Sequence, residues 1–308
     1  MDWAKAFGLY LIVLGHYIPN YMTSPIAIYI YTFHVPLFFI VSGFFAKKTC
    51  FHDMKKLCST LLVPYVSLVL IGYALDILLC GLYTHNIPEK GYLMIIGDPA
   101  GLVNPMWFVF SLLIVRFLWI LENKIGQVTG KHGITFLIIF SLLLLTSYLP
   151  SIPMPSFAGR IIIAYLLYYM GYLIAKSRLL DGVKVYYLIF LTLIPILGMH
   201  INGNVDVYSF NMGNSVILFF LFSILSSIGW ISLFKCVLNI SSKFTNTIAV
   251  GSLLIVAYHK FFLRIVFSSI DDNIIFQLII PLIVILLLYY PIKITQKYIP
   301  FLLGHRKI

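Results

Sequence analysis

Residues 3–21 read "WAKAFGLYLIVLGHYIPNY". The run is apolar over a length that crosses a bilayer, which takes about 17–25 residues as a helix. Inside it sits His16. Hydrocarbon offers an imidazole no water, so an ionisable side chain in a spanning helix normally faces a cavity or a partner. The stretch therefore raises two expectations: a membrane-spanning helix, and a polar site inside the membrane.

Working outward, nine further apolar runs of similar length follow: roughly 26–46, 58–80, 102–121, 133–150, 158–175, 184–201, 212–234, 247–268 and 273–292. Segments such as "NIPEKGY" (86–92) and "LPSIPMPS" (149–156) punctuate them with turn residues. Backbone groups in lipid must bond internally, and the runs do not alternate polar with apolar, so they are helices and not barrel strands. The composition agrees: 61% of the 308 residues are hydrophobic and only 10% charged, too few charges to cover a soluble surface. The expected fold is an all-α integral membrane bundle of about ten helices. It forms one domain over residues 1–308, with no appended soluble domain.

The net charge of +11 does not require nucleic acid. Sixteen of the 21 Lys and Arg residues fall in the N-terminus, alternate connections and the C-terminal tail, against Lys90 and Arg160 on the other side. The remaining three, Arg116, Lys260 and Arg264, lie within spans. That asymmetry is the positive-inside pattern and predicts both termini in the cytoplasm. The four cysteines form no CxxC pair, so neither a disulfide framework nor a metal site is indicated.

Polar residues within the spans fall at two depths. His16, His34, Asp76, His259, Lys260 and Arg264 are expected in the outer half. Asp2, Lys5 and Arg116 are nearer the cytoplasm, beside the basic loop "KKTCFHDMKK" (47–56). Lys5 and His16 are eleven positions apart, about three turns, so they share a face at about 16 Å along the axis. Asp2, Lys5, Leu9, Ile12 and His16 form one stripe, and Gly8 and Gly15 offer small surfaces to a neighbouring helix. Such a stripe is one wall of a channel-like cavity. A membrane histidine can also be only an interhelical hydrogen bond, and Lys260 and Arg264 can reach the outer interface along their stems, Arg264 above all. From these residues alone, a proton-coupled transporter and a membrane enzyme remain equally open.

"MDWAKAFGLYLIVLGHYIP" (1–19) followed by "YIYTFHVPLFFIVSGFFAKK" (29–48) resembles the acyltransferase-3 family of bacterial membrane O-acyltransferases. Lys5 and His16 match its basic residue, ten positions and histidine. Phe33, His34, Pro36, Leu37, Phe38, Phe39, Ser42, Gly43 and Phe44 match its second element. Weaker echoes run to "IPFLLG" at 299–304, so the likeness spans the chain.

The resemblance implies transfer of an acyl group, most often acetyl from acetyl-CoA, to a hydroxyl of a cell-surface or lipid-linked glycan, in the bacterial cytoplasmic membrane. It makes His16 the expected general base, a role typically contributing about 10²–10⁴-fold. His34 would orient it, polarise the thioester or receive the acceptor. Lys5 and Asp2 complete the expected catalytic set. Lys47, Lys48, Lys55, Lys56 and Arg116 are expected to bind the anionic donor. Trp107, Tyr258, His259 and Ser42 are the candidates for substrate contact, Trp107 as a stacking face or an interfacial anchor. The expected partners are the acyl-CoA donor, the glycan acceptor, the bilayer and glycan-assembly enzymes, with neither metal nor nucleic acid. A transporter of a glycan precursor or solute, or an inactive relative within an assembly complex, are the alternatives.

Overall fold

The computed structural model describes residues 2–47, 53–83, 97–99, 101–130, 133–148, 156–177, 179–237, 240, 242–266 and 273–304. These residues are helical apart from turns and one isolated bridge between Asp206 and Asn211. In chain order the helices are α1 (Asp2–Tyr17), α2 (Pro25–Tyr31), α3 (His34–Phe44), α4 (Asp53–Leu57), α5 (Val63–Tyr83), α6 (Trp107–Thr129) and α7 (Ile134–Tyr148). There follow α8 (Ser156–Ser177), α9 (Val185–Asn202), α10 (Val216–Cys236), α11 (Lys243–Val250), α12 (Ser252–Val266) and α13 (Ile274–Tyr298).

Among the described residues, seven helical segments are long and apolar enough to cross a membrane, α2 and α3 together forming one (Pro25–Phe44), or eight if α11 and α12 count as one bent span. The other two expected spans correspond to α1, with 16 residues, and α7, with 15, both shorter than that measure. Leu70 on α5, Ile189 on α9 and Ile275 on α13 are among many large apolar side chains left exposed. Water would penalise such a surface, whereas lipid solvates it.

α1 is the axis of the bundle. Leu9 and Val13 pack into a core with α5, α12 and α13, while Leu11 and Leu14 pack into a second core with α3, α8 and α10. A helix buried on both sides has little room for a water-facing stripe. Its polar residues therefore look into internal space.

The expected span 26–46 is interrupted. Thr32 and Phe33 separate α2 from α3, and Pro36 is the reason. Proline cannot donate to the carbonyl four residues back, and its ring crowds that carbonyl. The freed Thr32 oxygen is instead taken by the Ser223 hydroxyl of α10 at 2.6 Å. The break leaves His34 as the first residue of α3. The expected span 247–268 is also not straight: α11 and α12 meet at 83° around Gly251, where the Ile292 side chain occupies the space a Cβ would need.

α3 and α8 touch backbone to backbone. A Cβ on Gly43 would land on the Tyr168 carbonyl, and one on Gly171 on the Ile40 carbonyl. Such small-residue seams let membrane helices gain close packing where no hydrophobic effect drives them together.

Candidate active site

Along the polar face of α1 lie two cavities. The first, about 240 Å³, is lined by His16, His34, Tyr31, Trp107, Tyr208 and Lys260, among others. The second, about 340 Å³, is lined by Asp2, Lys5, Ser42 and Arg116 along with apolar residues. Phe38, Phe108 and Val256 border both, so these three side chains form the wall between them. Phe38 and Phe108 meet edge to face at 5.7 Å. The bare Cα of Gly8 leaves room for the Phe38 ring, whose tip would lie 2.8 Å from a Cβ there. Gly15 does the same for Tyr31, at 3.2 Å. A third cavity, about 330 Å³, lies between Lys47, Lys56, Asp53 and Trp119, and shares Arg116 with the second.

In the first cavity His16 is exposed to the enclosed space, although the helix around it is buried. His34 Nδ1 lies 2.9 Å from the Ile30 carbonyl. A carbonyl only accepts, so Nδ1 carries the proton and Nε2 of the neutral ring is a lone-pair acceptor. His259 repeats this device: Nδ1 donates to the Ile255 carbonyl at 2.8 Å. Its ring is fully buried and lies 5.1 Å from that of His16. Its Nε2 has no hydrogen-bond partner among the described residues. His34 thus lines the His16 cavity with an acceptor nitrogen free, while His259 packs its ring against His16 from the sealed side.

The far wall of this cavity is aromatic and locked. The Tyr208 hydroxyl donates to Asp98 Oδ1 at 3.0 Å and accepts from Asn104 Nδ2 at 2.9 Å. Burial pushes this phenol up from its ordinary value, so it stays a neutral donor. Arg160 pairs with Asp98 at 3.1 Å, and its guanidinium lies 4.3 Å above the Tyr208 ring and 5.6 Å from that of Trp107. Asp206 also lines the cavity, but its Oδ1 accepts the Tyr208 amide and its Oδ2 the Ser209 hydroxyl.

The sequence-derived candidates divide accordingly. His16, His34 and Trp107 share the first cavity; Asp2, Lys5 and Ser42 the second; Lys47 and Lys56 the third; and Arg116 joins the last two. Three do not reach these cavities. Tyr258 wedges beside Gly72 and gives its hydroxyl to the Leu68 carbonyl at 3.0 Å, tying α12 to α5. His259 stands behind His16, sealed from the open space. Lys55 is exposed on α4 and, unlike Lys56, does not line the third cavity. Lys48 lies outside the described residues.

Sequence reading missed Asn104, Arg160, Asp206 and Tyr208, and gave Lys260 no site role. Arg160 was counted as a connection residue, yet it is buried within α8. Asn104 lies in the short 3-10 helix Gly101–Met106, Asp206 in the isolated bridge and Tyr208 in the turn after it, where no helical periodicity flags them. For Lys260 a signal existed: "YHK" (258–260) puts two ionisable residues side by side in an apolar helix.

The bundle of apolar helices defines a multi-pass membrane protein, with a histidine-lined cavity inside it. The family model described as an acyltransferase domain matches residues 1–294, and the chain belongs to that acyltransferase-3 family. It is a membrane acyltransferase. No curated protein and no solved structure matches it.

Proposed function

We propose that this acyltransferase moves an acetyl group from acetyl-CoA to a hydroxyl of a cell-surface or lipid-linked glycan in the bacterial cytoplasmic membrane. The reading takes the bundle as ten spans with both termini cytoplasmic. The second and third cavities then face the cytoplasm and the histidine cavity faces outward. The observation that carries it is the pairing of cavities across one thin wall: cations on one side, histidines on the other.

In this mechanism Lys47, Lys56 and Arg116 hold the phosphates of the donor, with Lys48 beside them in the chain, while Lys5 guides the pantetheine arm. Asp2 lies in the first turn of α1, where a carboxylate favours the helix dipole. It lines the same cavity as Lys5, and Ser42 lines the arm's path. The thioester passes Phe38 and Phe108 into the histidine cavity. His16 takes the proton of the acceptor hydroxyl. His34 cannot polarise the thioester, because its only proton is committed to Ile30 and its free nitrogen accepts. It therefore receives a hydrogen bond from the acceptor. Trp107 and Tyr208 present ring faces to the sugar, held by Asp98, Asn104 and Arg160.

The test is transfer of label from acetyl-CoA to candidate glycans by the purified protein in nanodiscs. His16→Ala at equal protein level should lower turnover by about 10²–10⁴-fold. Full activity in that variant would remove His16 from the mechanism, and absence of transfer by the wild type from any acyl-CoA would remove the donor.

A further inference from the structure

We infer that Lys260 is the catalytic cation that holds the negative oxygen of the tetrahedral intermediate. The inference rests on the acyl-transfer reading above.

Three observations carry it. First, Lys260 is the only Lys or Arg among the described residues lining the histidine cavity. Second, no carboxylate neutralises it: the ion pairs among the described residues are Arg160 with Asp98 and Lys235 with Asp181. Asp206, the one carboxylate among the described residues lining the same cavity, forms no ion pair with Lys260 and instead accepts from the Tyr208 amide and the Ser209 hydroxyl. A lone cation in a membrane interior is costly, and its persistence marks a place where negative charge arrives. Third, the histidines cannot supply that donor. His34 and His259 both spend their Nδ1 proton on backbone carbonyls. They offer lone pairs, which repel a negative oxygen. Among its described lining residues the cavity thus has a base, His16, an acceptor, His34, and one cation, Lys260, with His259 sealed behind His16.

The step balances without any further reagent. The acceptor hydroxyl gives its proton to the His16 imidazole as its oxygen bonds to the thioester carbonyl carbon. The carbonyl π electrons move onto its oxygen, which becomes negative against the Lys260 head group. Collapse re-forms the carbonyl and breaks the carbon–sulfur bond. The thiolate of CoA leaves and takes the proton back from His16. Stabilising charge that exists only in the transition state raises kcat more than it tightens ground-state binding.

The experiment compares wild type, Lys260→Met and Lys260→Arg in nanodiscs, with donor and acceptor KM and kcat determined separately. Removing an oxyanion donor typically costs about 10²–10³ in kcat, so the Met variant should lose that much. Both KM values should stay within about twofold, the pattern of an interaction made only in the transition state. The Arg variant, still charged, should recover at least about a tenth of wild-type kcat. Thermal unfolding checks that each variant folds, and Lys260→Gln repeats the comparison if the Met side chain does not pack. Wild-type kcat in the uncharged variants overturns the inference. So does a raised acceptor KM at unchanged kcat, which would make Lys260 a ground-state anchor for an acidic acceptor. The donor reading fails separately, if the wild type does not turn over acyl-CoA.

Discussion

The imidazole rings of His16 and His259 lie 5.1 Å apart and tilted by 30°, brought together by α1 and α12 from opposite ends of the chain. His259 Nδ1 is fixed on Ile255, and Nε2 is buried without a partner among the described residues. An unsatisfied buried nitrogen costs about 1–3 kcal/mol. Under the proposed mechanism, that cost beside His16 is met by a use of the nitrogen in chemistry.

His259→Phe separates those two uses. The phenyl ring keeps the packing and removes the unsatisfied nitrogen. Thermal unfolding in detergent should therefore be unchanged or occur at higher temperature. Turnover should fall by about tenfold or more, at least about 1.4 kcal/mol in the barrier. A stable variant with wild-type turnover would reduce His259 to a packing residue.

The wall between the cavities predicts which acyl groups pass. A pantetheine arm and a linear acyl chain have similar cross-sections, whereas a branched acyl group is wider. Phe108 rests on Phe39 at 4.7 Å as well as on Phe38, so its position is fixed. Phe108→Leu should raise kcat/KM for isobutyryl-CoA relative to acetyl-CoA by about tenfold, the scale at which apolar pockets discriminate single carbons. Phe108→Ala should do so more strongly, but with a core loss of about 3–5 kcal/mol. A steady-state series over acyl-CoA esters measures the ratio; an unchanged ratio would put acyl selection elsewhere.

The proposed donor end should answer to charge. Lys47 and Lys56 line the third cavity and Arg116 bridges it to the second. Exposed charges act through water and are screened within about 10 Å at 0.1 M salt. Lys47→Glu with Lys56→Glu should therefore raise the KM for acetyl-CoA several-fold at low salt and by less at high salt, with kcat retained. Lys55→Glu, exposed on α4 and outside the lining of the third cavity, serves as the comparison and should leave the KM near wild type. Equal effects of the two substitutions would argue for a general surface potential instead of a built donor site.

The sequence made the helices legible because lipid imposes one rule on every span: apolar side chains and internal backbone bonding. It also made the Lys5–His16 stripe legible, since both residues lie on one helix and periodicity fixes their shared face. What it could not supply was anything that depends on which helices meet. His259 could be placed at the depth of His16 but not against its ring. Tyr258 looked equivalent to His259, yet one helical step of about 100° turns it toward α5 and the Leu68 carbonyl. Arg160 looked like a topology signal because its partner Asp98 is distant in sequence. The α2–α3 break was written in Pro36, but its consequence depends on Ser223 in another helix.

That break yields a last prediction. Pro36 frees the Thr32 carbonyl, and the Ser223 hydroxyl, fully buried, is the donor that takes it up. Ser223→Ala leaves the oxygen buried and unsatisfied, at a cost of about 1–3 kcal/mol. Because Thr32 lies two residues before His34, the unpaired carbonyl should also loosen the start of α3, and with it the nitrogen proposed to receive the acceptor. Ser223→Thr keeps the hydroxyl and should restore both properties if the extra methyl fits. The expected result is a lower unfolding temperature for Ser223→Ala together with a raised acceptor KM and an unchanged donor KM. If unfolding shifts while the acceptor KM does not, the bond serves only the fold, and His34 is positioned by its Ile30 contact alone.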